Sequence, residues 1–440
     1  MNSSRIQKKA YFSALLVLFA LMVLSYVLTL FLPCEGLPVW KWVLSPALVL
    51  GSDSRVTLIA VIAFLLVLGG VFSALEESGV MRYLLALLTH RFKKTRYRLM
   101  AVIVLFFMLM GSMIGSFEEI VPLVPLVTAL SVSLGWDVLL GLGMSVLAVC
   151  CGFACGVANP FTVGVAQELA SLPMFSGIWL RALSFLLIYF LLLAFLRFHA
   201  KRLEKTNASA SSEGETEFEY DTKKQRAVVL FAAILGAGIL IVLLSGLIPA
   251  LQDYSLIVVA LSFLVAGVCS VAASGMQART HISCFCKGLI GILPAVLMIL
   301  MASSIRYILE EAGALDIMLD WALQKASQMP RSMVVLFIYL IVLVLNFFIA
   351  SGSAKAFIVI PMIAPIASAV GIPLQLCILA YAFGDGFSNV FYPTNPVLLI
   401  SLGLSDVSYG KWFKWSVPFQ LVNLMLTAGI LLFGLAVGYM

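Results

Sequence analysis

Residues 346–396 read NFFIASGSAKAFIVIPMIAPIASAVGIPLQLCILAYAFGDGFSNVFYPTNP, and in this stretch helix-breaking residues interrupt an otherwise apolar sequence. The interruptions are the small polar run 351–355, the prolines Pro361 and Pro365, the glycine-rich run 384–389 and the run 393–396. Hydrocarbon offers no water to unpaired backbone groups, so such breaks persist in a membrane only where protein or an aqueous cavity satisfies them. The stretch is therefore a candidate solute site.

A weaker copy of these interruptions lies upstream in the chain. A shift of 236 residues aligns Pro125 with Pro361, Gly135 with Gly371, Asn159-Pro160 with Asn395-Pro396 and Trp179 with Trp415, and a shift of 234 aligns residues 75–79 with 309–313. The matching residues are helix breakers, caps and paired acids. Two halves with matching interruptions are typical of an internally duplicated transporter.

The composition indicates a membrane-embedded chain. Of 440 residues 62% are hydrophobic and only 11% are charged, and the mean hydropathy is +1.11. A soluble globular protein does not need that much apolar surface, whereas a bundle of spanning helices does. The net charge of +6 comes from basic residues that lie between apolar segments and form no domain. We interpret them as topology signals, so the expected partner is the lipid bilayer and not nucleic acid.

The positive-inside rule predicts the course of an N-terminal repeat, residues 1–198. Basic residues before a first span at about 10–32 place the N-terminus in the cytoplasm, and this span is expected to be retained as an anchor. Each apolar arm of 99–134 is about 15 residues long, too short for a crossing, which predicts a re-entrant hairpin. The further predicted segments are an outside stretch at 33–55, a span at 56–75, a basic inside stretch at 76–98 with an interfacial helix over 76–90, a span broken at Asn159-Pro160 over 138–170, and a returning span at 178–198.

A polar segment, 199–226, is predicted to be a flexible cytoplasmic linker, followed by a connecting span at 227–248. The C-terminal repeat, 254–440, should then run in the inverted sense, because its segment 309–332 lacks the basic signature of 76–98 and is placed outside. Its predicted parts are spans at 254–273 and 289–308, a hairpin at about 333–370, a broken span at 374–402 and a last span at 416–438. The expected fold is an all-α polytopic membrane protein with an inverted repeat, about nine transmembrane helices, two opposed re-entrant hairpins and an outside C-terminus.

The breaks and hairpin tips supply the candidate binding residues. Helix ends that meet there offer N–H groups to anions and C=O groups to cations, and short polar side chains can reach a carboxylate or complete the oxygen shell of a cation. The alternative is that Ser, Asn and Pro only let helices kink and pack. The residues predicted to bind substrate are Ser116, Glu118, Glu119, Asn159, Pro160, Thr162, Ser351, Gly352, Ser353, Lys355, Thr394, Asn395 and Pro396. One of the two acids, Glu118 or Glu119, could instead cap the N-terminal end of the second hairpin arm.

Asp385, Ser388 and Asn389 are the predicted ion-coupling residues. An ionised Asp385 in an apolar span is expensive, so it should be paired, protonated or cation-bound, and a structural ion pair with Lys355 is the alternative to a coupling role. Lys355 adds positive charge to the positive end of a helix and needs an anion, either Asp385 or the carboxylate of the substrate. Its fixed charge predicts weaker dependence on Na⁺. Arg306 could grip a substrate carboxylate or pair with Glu310.

Six stretches carry a family resemblance: Glu118-Glu119, Asn159-Pro160-Phe161, Ser351-Gly352-Ser353, residues 383–389, Pro393-Thr394 and residues 409–412. In these stretches the chain resembles the YfcC family of bacterial membrane transporters, grouped with C4-dicarboxylate anaerobic carriers in the ion-transporter superfamily. The resemblance implies secondary transport, an elevator-type architecture, a bacterial cytoplasmic (inner) membrane location, and dicarboxylates, amino acids or arginine–ornithine exchange as substrates. Lys355 departs from the pattern, which has a small or amide residue there, so cation coupling does not carry over directly.

We therefore expect a secondary active transporter of a small carboxylate-bearing solute, a C4-dicarboxylate or an amino acid, working by ion-coupled symport or antiport or by exchange. The alternatives are an ion or solute channel, which needs a continuous polar pore, and a non-transporting scaffold or receptor, which tolerates loss of Asp385. No constellation of nucleophile, base and paired acids is present, so no catalytic or metal residues are predicted, and the chain is not expected to be an enzyme. The only expected cofactor is a coupling Na⁺ or H⁺, and a homodimer is compatible with this class.

Overall fold

The computed structural model describes residues 8–52, 55–115, 117–173, 175–207, 220–245, 255–315, 317, 321, 324–325, 329–349 and 351–439. Within these ranges the secondary structure is helical, and turns join the helices. The first half contains α1 Lys8–Phe31, α2 Val39–Leu48, α3 Arg55–Glu77, α4 Val80–Phe92, α5 Arg96–Ile114, α6 Val124–Ser133, α7 Val138–Leu142, α8 Ala148–Cys155, α9 Val165–Leu169 and α10 Ile178–Asn207.

The second half contains α11 Thr222–Ser245, α12 Ser255–Ala273, α13 Ala278–Glu311, α14 Arg331–Phe348, α15 Gly352–Val370, α16 Leu374–Ser388, α17 Pro396–Leu404 and α18 Tyr409–Ala436. Short 3₁₀ turns cover Val49–Gly51, Lys93–Thr95 and Glu118–Leu123. Two π-helical segments, Gly143–Leu147 and Pro160–Gly164, continue directly into α8 and α9. The all-helical prediction is confirmed.

Among the described residues, eight helices are long and apolar enough to cross a bilayer, against the nine that the sequence predicts. The apolar described parts of α1 and α12 are shorter than the rest. Two of the eight, Arg96–Met113 and Arg331–Phe348, are the first arms of the predicted hairpins. The expectation of short arms at 99–134 was therefore wrong for its first arm, because α5 begins earlier than expected, at Arg96, and continues without a break through the small residues at 111–112.

The helix boundaries repeat with the same 236-residue shift that aligned the sequence motifs. After this shift, hairpin arm α5 agrees with α14, and the Glu118–Leu123 turn with α6 agrees with α15, to within two residues at each end. The turns correspond as well: Gly135 and Gly371 are both left-handed, with φ of +86° and +72°. A residue with a Cβ is disfavoured at such angles, which explains why both copies carry glycine. The helix ends of these segments thus match as the motifs do, while the duplication and the inversion of one copy stay predictions.

Several predicted interruptions are helical instead. Pro361 and Pro365 both lie inside α15, and the run 384–386 lies inside α16. A proline in a helix removes one hydrogen bond, and a membrane bundle tolerates this where neighbouring groups satisfy the freed carbonyl. Among the described residues of the second repeat, the chain is not helical at 349, at 351 and at 389–395. Glycines at 384 and 386 therefore serve close packing and not helix termination.

Three connecting segments also differ from expectation. The predicted outside stretch 33–55 contains α2, and the interfacial helix begins at Val80, after a turn at Gly79, and not at residue 76. The predicted linker 199–226 is helical at both ends, because α10 continues to Asn207 and α11 begins at Thr222. Its middle, 208–219, lies outside the described residues, as do parts of 309–332. Charged residues signal a membrane boundary more reliably than they signal the end of a helix.

Helix α8 with the π-helical segment before it forms the centre of the fold. In the window Val138–Cys155, 94% of the residues are buried. A Cβ added at Gly152 would lie 1.9 Å from the Met108 carbonyl oxygen on α5, and one added at Gly386 would lie 2.3 Å from Cα of Ala154. The backbones of α5, α8 and α16 are therefore in direct contact, which brings the breaks of both repeats close together.

Candidate functional site

Both broken helices restart in the same way, with an Asn-Pro pair. The side-chain oxygen of Asn159 accepts the backbone N–H of Thr162 at 3.1 Å, and that of Asn395 accepts the backbone N–H of Leu398 at 3.2 Å. Proline fits the first position of a helix because its missing N–H would be unpaired there anyway. Asn159 and Asn395 are both buried. The predicted breaks are therefore confirmed, and each presents the positive N-terminal end of a helix inside the protein.

The tip of the first hairpin lies against the first break. The backbone N–H groups of Val157 and Ala158 donate to the hydroxyl and to the carbonyl of Ser112, at 3.0 and 3.1 Å. A Cβ added at Gly115 would lie 1.9 Å from the side-chain oxygen of Asn159. Since Gly115 is also left-handed, with φ of +74°, no other residue fits this position without strain.

The tip of the second hairpin contacts both repeats. A Cβ added at Gly352 would lie 2.5 Å from Oδ2 of Asp385 and 2.7 Å from Cγ2 of Thr162. The hydroxyl of Tyr381, one turn before Asp385 on α16, donates to the Gly352 carbonyl. The two hairpin tips, the first break and the middle of α16 thus meet in one region.

A buried ion pair lies at the centre of this region. Lys355 Nζ is 2.6 Å from Asp385 Oδ1, and both side chains have 0% exposure. Lys355 lies in the first turn of α15, where its backbone N–H donates to the Ser351 carbonyl at 3.1 Å. Of the two anions considered for Lys355, the structure therefore shows Asp385.

Asn346, near the end of the first arm of the second hairpin, organises the polar groups around this pair. Its side-chain oxygen accepts from Lys355 Nζ, while its NH₂ group donates to the Asp385 carbonyl at 3.0 Å, to Ser388 Oγ at 2.7 Å and to Asn389 Oδ1 at 2.9 Å. Asn395 adds a second donor to Asn389 Oδ1, at 3.1 Å. One network thus joins both arms of the hairpin, α16 and the second break.

Three buried oxygens in this region have no hydrogen-bond partner among the described residues: Asp385 Oδ2, Thr162 Oγ1 and Thr394 Oγ1. The first lies beside Gly352, against the methyl group of Thr162. Leaving a polar atom buried and unpaired costs free energy, so such atoms in a native site are commonly reserved for a ligand, a water or an ion. A carboxylate oxygen suits an ammonium group or a metal cation, and a hydroxyl suits either charge.

The remaining predicted site residues divide into two groups. Pro396 occupies the first position of α17, and Ser351 is exposed at the second hairpin tip. The residue Ser116 and the side chains of Glu118, Glu119, Pro160 and Ser353 lie outside the described residues. Arg306 forms the pair with Glu310 that was one of its two expected roles, through contacts of 3.1 and 3.2 Å, and does not join the site.

Sequence reasoning missed two residues of the site, Asn346 and Tyr381. Asn346 is the one strongly polar residue between 332 and 350 apart from Tyr339, and a lone amide in an apolar helix is a signal that could have found it. Tyr381 offered no such signal, because tyrosine is common at the ends of membrane helices. Only the folded chain shows that its hydroxyl reaches the hairpin tip.

Comparison with known proteins gives a consistent family. The family model described as "C4-dicarboxylate anaerobic carrier" (DcuC) matches residues 47–436. The chain is 28% identical over 376 residues to the Escherichia coli K12 protein named "Putative basic amino acid antiporter YfcC", which covers 81% of this chain and 74% of that protein. It is 24% identical over 396 residues to an uncharacterised Haemophilus influenzae protein, covering 86% and 76% of the two chains.

Two solved transporter structures are similar at low identity. The Alcanivorax borkumensis YdaH transporter has 18% identity and a TM-score of 0.46, with 98% of this chain and 99% of that chain covered. Neisseria gonorrhoeae MtrF has 16% identity and a TM-score of 0.40, with 95% and 94% covered. The family model spans most of the chain, including both breaks, both hairpin tips and the buried pair. The chain therefore belongs to the C4-dicarboxylate anaerobic carrier (DcuC) family.

Proposed function

We propose that this protein is a secondary active transporter of a small carboxylate-bearing solute in the bacterial cytoplasmic membrane, with the N-terminus inside and the C-terminus outside. The observation that supports this most is the meeting of two hairpin tips, two capped helix breaks and a buried ion pair in one region. Breaks in a membrane helix leave backbone groups free to bind a solute, and a site between two repeats can open to either side in turn. Membership of the C4-dicarboxylate anaerobic carrier family supports transport as the activity of this protein.

The charge of the site favours an amino acid over a dicarboxylate. Lys355 and Asp385 neutralise each other, so the described ionised groups of the network offer no net positive charge to a dianion. The helix N-termini after Asn159 and Asn395 suit one carboxylate, and the unpaired Oδ2 of Asp385 suits an ammonium group. An amino acid carries both groups. The name of the Escherichia coli relative agrees with this choice, while the family description keeps a C4-dicarboxylate as the competing substrate.

Exchange in proteoliposomes tests the proposal. Purified protein should exchange a labelled amino acid for unlabelled internal amino acid, saturably and faster than net uptake, and dicarboxylates should compete weakly. A channel would give flux that does not saturate and gains nothing from internal solute. Equal exchange of succinate and of amino acids would overturn the choice of substrate, and failure of every tested carboxylate to exchange or to raise the unfolding temperature would overturn transport of this class.

Asp385→Asn is the variant for this assay. It removes the charge beside the unpaired oxygen, so amino acid affinity should fall about tenfold or more, the factor given by a loss of roughly 1.4 kcal/mol of binding free energy. Glu310→Gln is the matched acid-to-amide control, because Glu310 belongs to a partly exposed pair with Arg306. Exposed pairs contribute little, so this control should transport as the parent does. If both variants behaved alike, Asp385 would have no special role in binding.

A further inference from the structure

We infer that the ammonium group of Lys355 occupies a cation site, and that shortening this side chain turns the position into a Na⁺ site. The inference deepens the proposed function, because it concerns how the same transport site balances its charge. It also rests on the geometry of the Asn346 network, which can be tested without measuring transport.

The groups around Lys355 are arranged to receive a positive charge. Its ammonium group donates to Asp385 Oδ1 at 2.6 Å and to the side-chain oxygen of Asn346. The two N–H bonds of the Asn346 amide are shared among three oxygens of α16 and of residue 389, and this arrangement leaves the amide oxygen facing the ammonium. The amide of Asn389 is fixed in the same way, since its oxygen accepts from both Asn346 and Asn395. Both amides are therefore held by hydrogen bonds other than the contact with the ammonium group.

The carboxylate of Asp385 needs such a cation. It has no exposure, and in the described part of the chain Lys355 is its cationic partner. A buried carboxylate without a countercharge is strongly unfavourable, and so it takes up a proton or a metal ion. Lys355 therefore provides, as part of the protein chain, the positive charge that a bound free cation would otherwise provide.

The donor set also suits a small hard cation. Asp385 Oδ2 has no hydrogen-bond partner in the part of the chain that the structure describes, so a cation seated where the ammonium lies could be held by both carboxylate oxygens and by the Asn346 oxygen. Hard cations prefer such oxygen ligands and accept water at the remaining positions. Removing the Lys355 side chain beyond Cβ leaves room for the cation and for water. The parent protein should be insensitive to Na⁺, because its position is already filled.

Thermal unfolding of purified protein in NaCl, against choline chloride of equal ionic strength, tests the inference. Lys355→Ala should unfold at a lower temperature than the parent in choline, and NaCl should raise its unfolding temperature saturably, by at least about 2 °C. Lys355→Met is the matched control, because its unbranched side chain fills the same space without a charge. It should be destabilised and show no response to Na⁺. The double variant Lys355→Ala with Asp385→Asn lacks the buried charge and should also be unresponsive.

Two results would overturn the inference: stabilisation of the parent by Na⁺ as large as that of Lys355→Ala, or a folded Lys355→Ala protein that ignores Na⁺. If Lys355→Ala does not fold in either salt, measurements on the parent protein test the inference. Stabilisation of the parent by Na⁺, or exchange by the parent that depends on Na⁺, would contradict a cation site already occupied by the Lys355 ammonium group. These readouts are independent of the substrate. Loss of the proposed function would appear as absent exchange by the parent, with the Na⁺ response of the variants unchanged.

Discussion

At the residue scale, the value of a buried polar group depends on its partners, and two buried asparagines show the contrast. The Asn346 side chain accepts from Lys355 and donates to three oxygens. Asn423, on α18, has 0% exposure, and within the described ranges neither its side-chain oxygen nor its NH₂ group has a hydrogen-bond partner. A buried amide with hydrogen-bond partners stabilises a fold. A buried amide without them costs desolvation free energy that no hydrogen bond offsets.

Replacing each asparagine with leucine should therefore have opposite effects. Asn346→Leu should lower the free energy of unfolding by roughly 2–4 kcal/mol, because it leaves Lys355 and several oxygens with fewer partners. Asn423→Leu should be neutral or should raise it by about 1 kcal/mol. Denaturant unfolding of both variants in detergent provides the measurement. Equal destabilisation would show that Asn423 has partners, such as bound water, that matter as much as those of Asn346.

At the element scale, close contact between helices decides where glycine is required. In α16, a Cβ added at Gly386 would lie 2.3 Å from the Cα of Ala154 on α8. One added at Gly384 would lie 2.7 Å from the Cβ of Val342 on α14. These glycines let three helices approach with their backbones in contact, in the manner of small residues in membrane bundles. This packing places Asp385, which lies between the two glycines, against the hairpin tip.

The substitution Gly386→Ala should separate α16 from α8 and lower the free energy of unfolding by about 1–3 kcal/mol, the usual cost of overpacking. Gly429→Ala on α18 is the control, because a Cβ there meets nothing within 4 Å. Alanine is the better helix former by up to roughly 1 kcal/mol, so this change should be neutral or stabilising. We also expect weaker solute binding by Gly386→Ala alone. A Gly386→Ala protein with parental stability and binding would contradict the contact between these backbones.

At the scale of the whole molecule, we expect the two halves to lie in the membrane with opposite orientations. The helix boundaries repeat at 236 residues, yet the same boundaries occur in parallel and in inverted repeats. The basic residues of 76–98 and their scarcity in 309–332 favour inversion. An inverted pair would let the hairpins enter from opposite sides and meet where the structure brings their tips together.

Labelling of introduced cysteines can determine this orientation. In a background with the exposed Cys286 replaced by Ser, Trp321→Cys should react with a membrane-impermeant reagent added outside intact cells, whereas Lys94→Cys should react only after the membrane is opened. Both positions are exposed, so access to the reagent depends on the side of the membrane and not on burial. Labelling of both positions from the same side would contradict the inverted repeat and the opposed hairpins.

The sequence by itself determined the helical class and the two Asn-Pro breaks, and it predicts the duplication. These features depend on local chemistry: apolar length sets a spanning helix, and an asparagine before a proline caps a helix wherever the chain runs. Pro361, Pro365 and residues 384–386 gave wrong local signals, because tertiary neighbours can support a helix through proline and can require glycine for contact. Tertiary structure alone decided that Asp385 is the anion of Lys355 and that Asn346 and Tyr381 join the site. Those contacts link residues far apart in the chain, and the periodicity of one helix does not show which other helix packs against it.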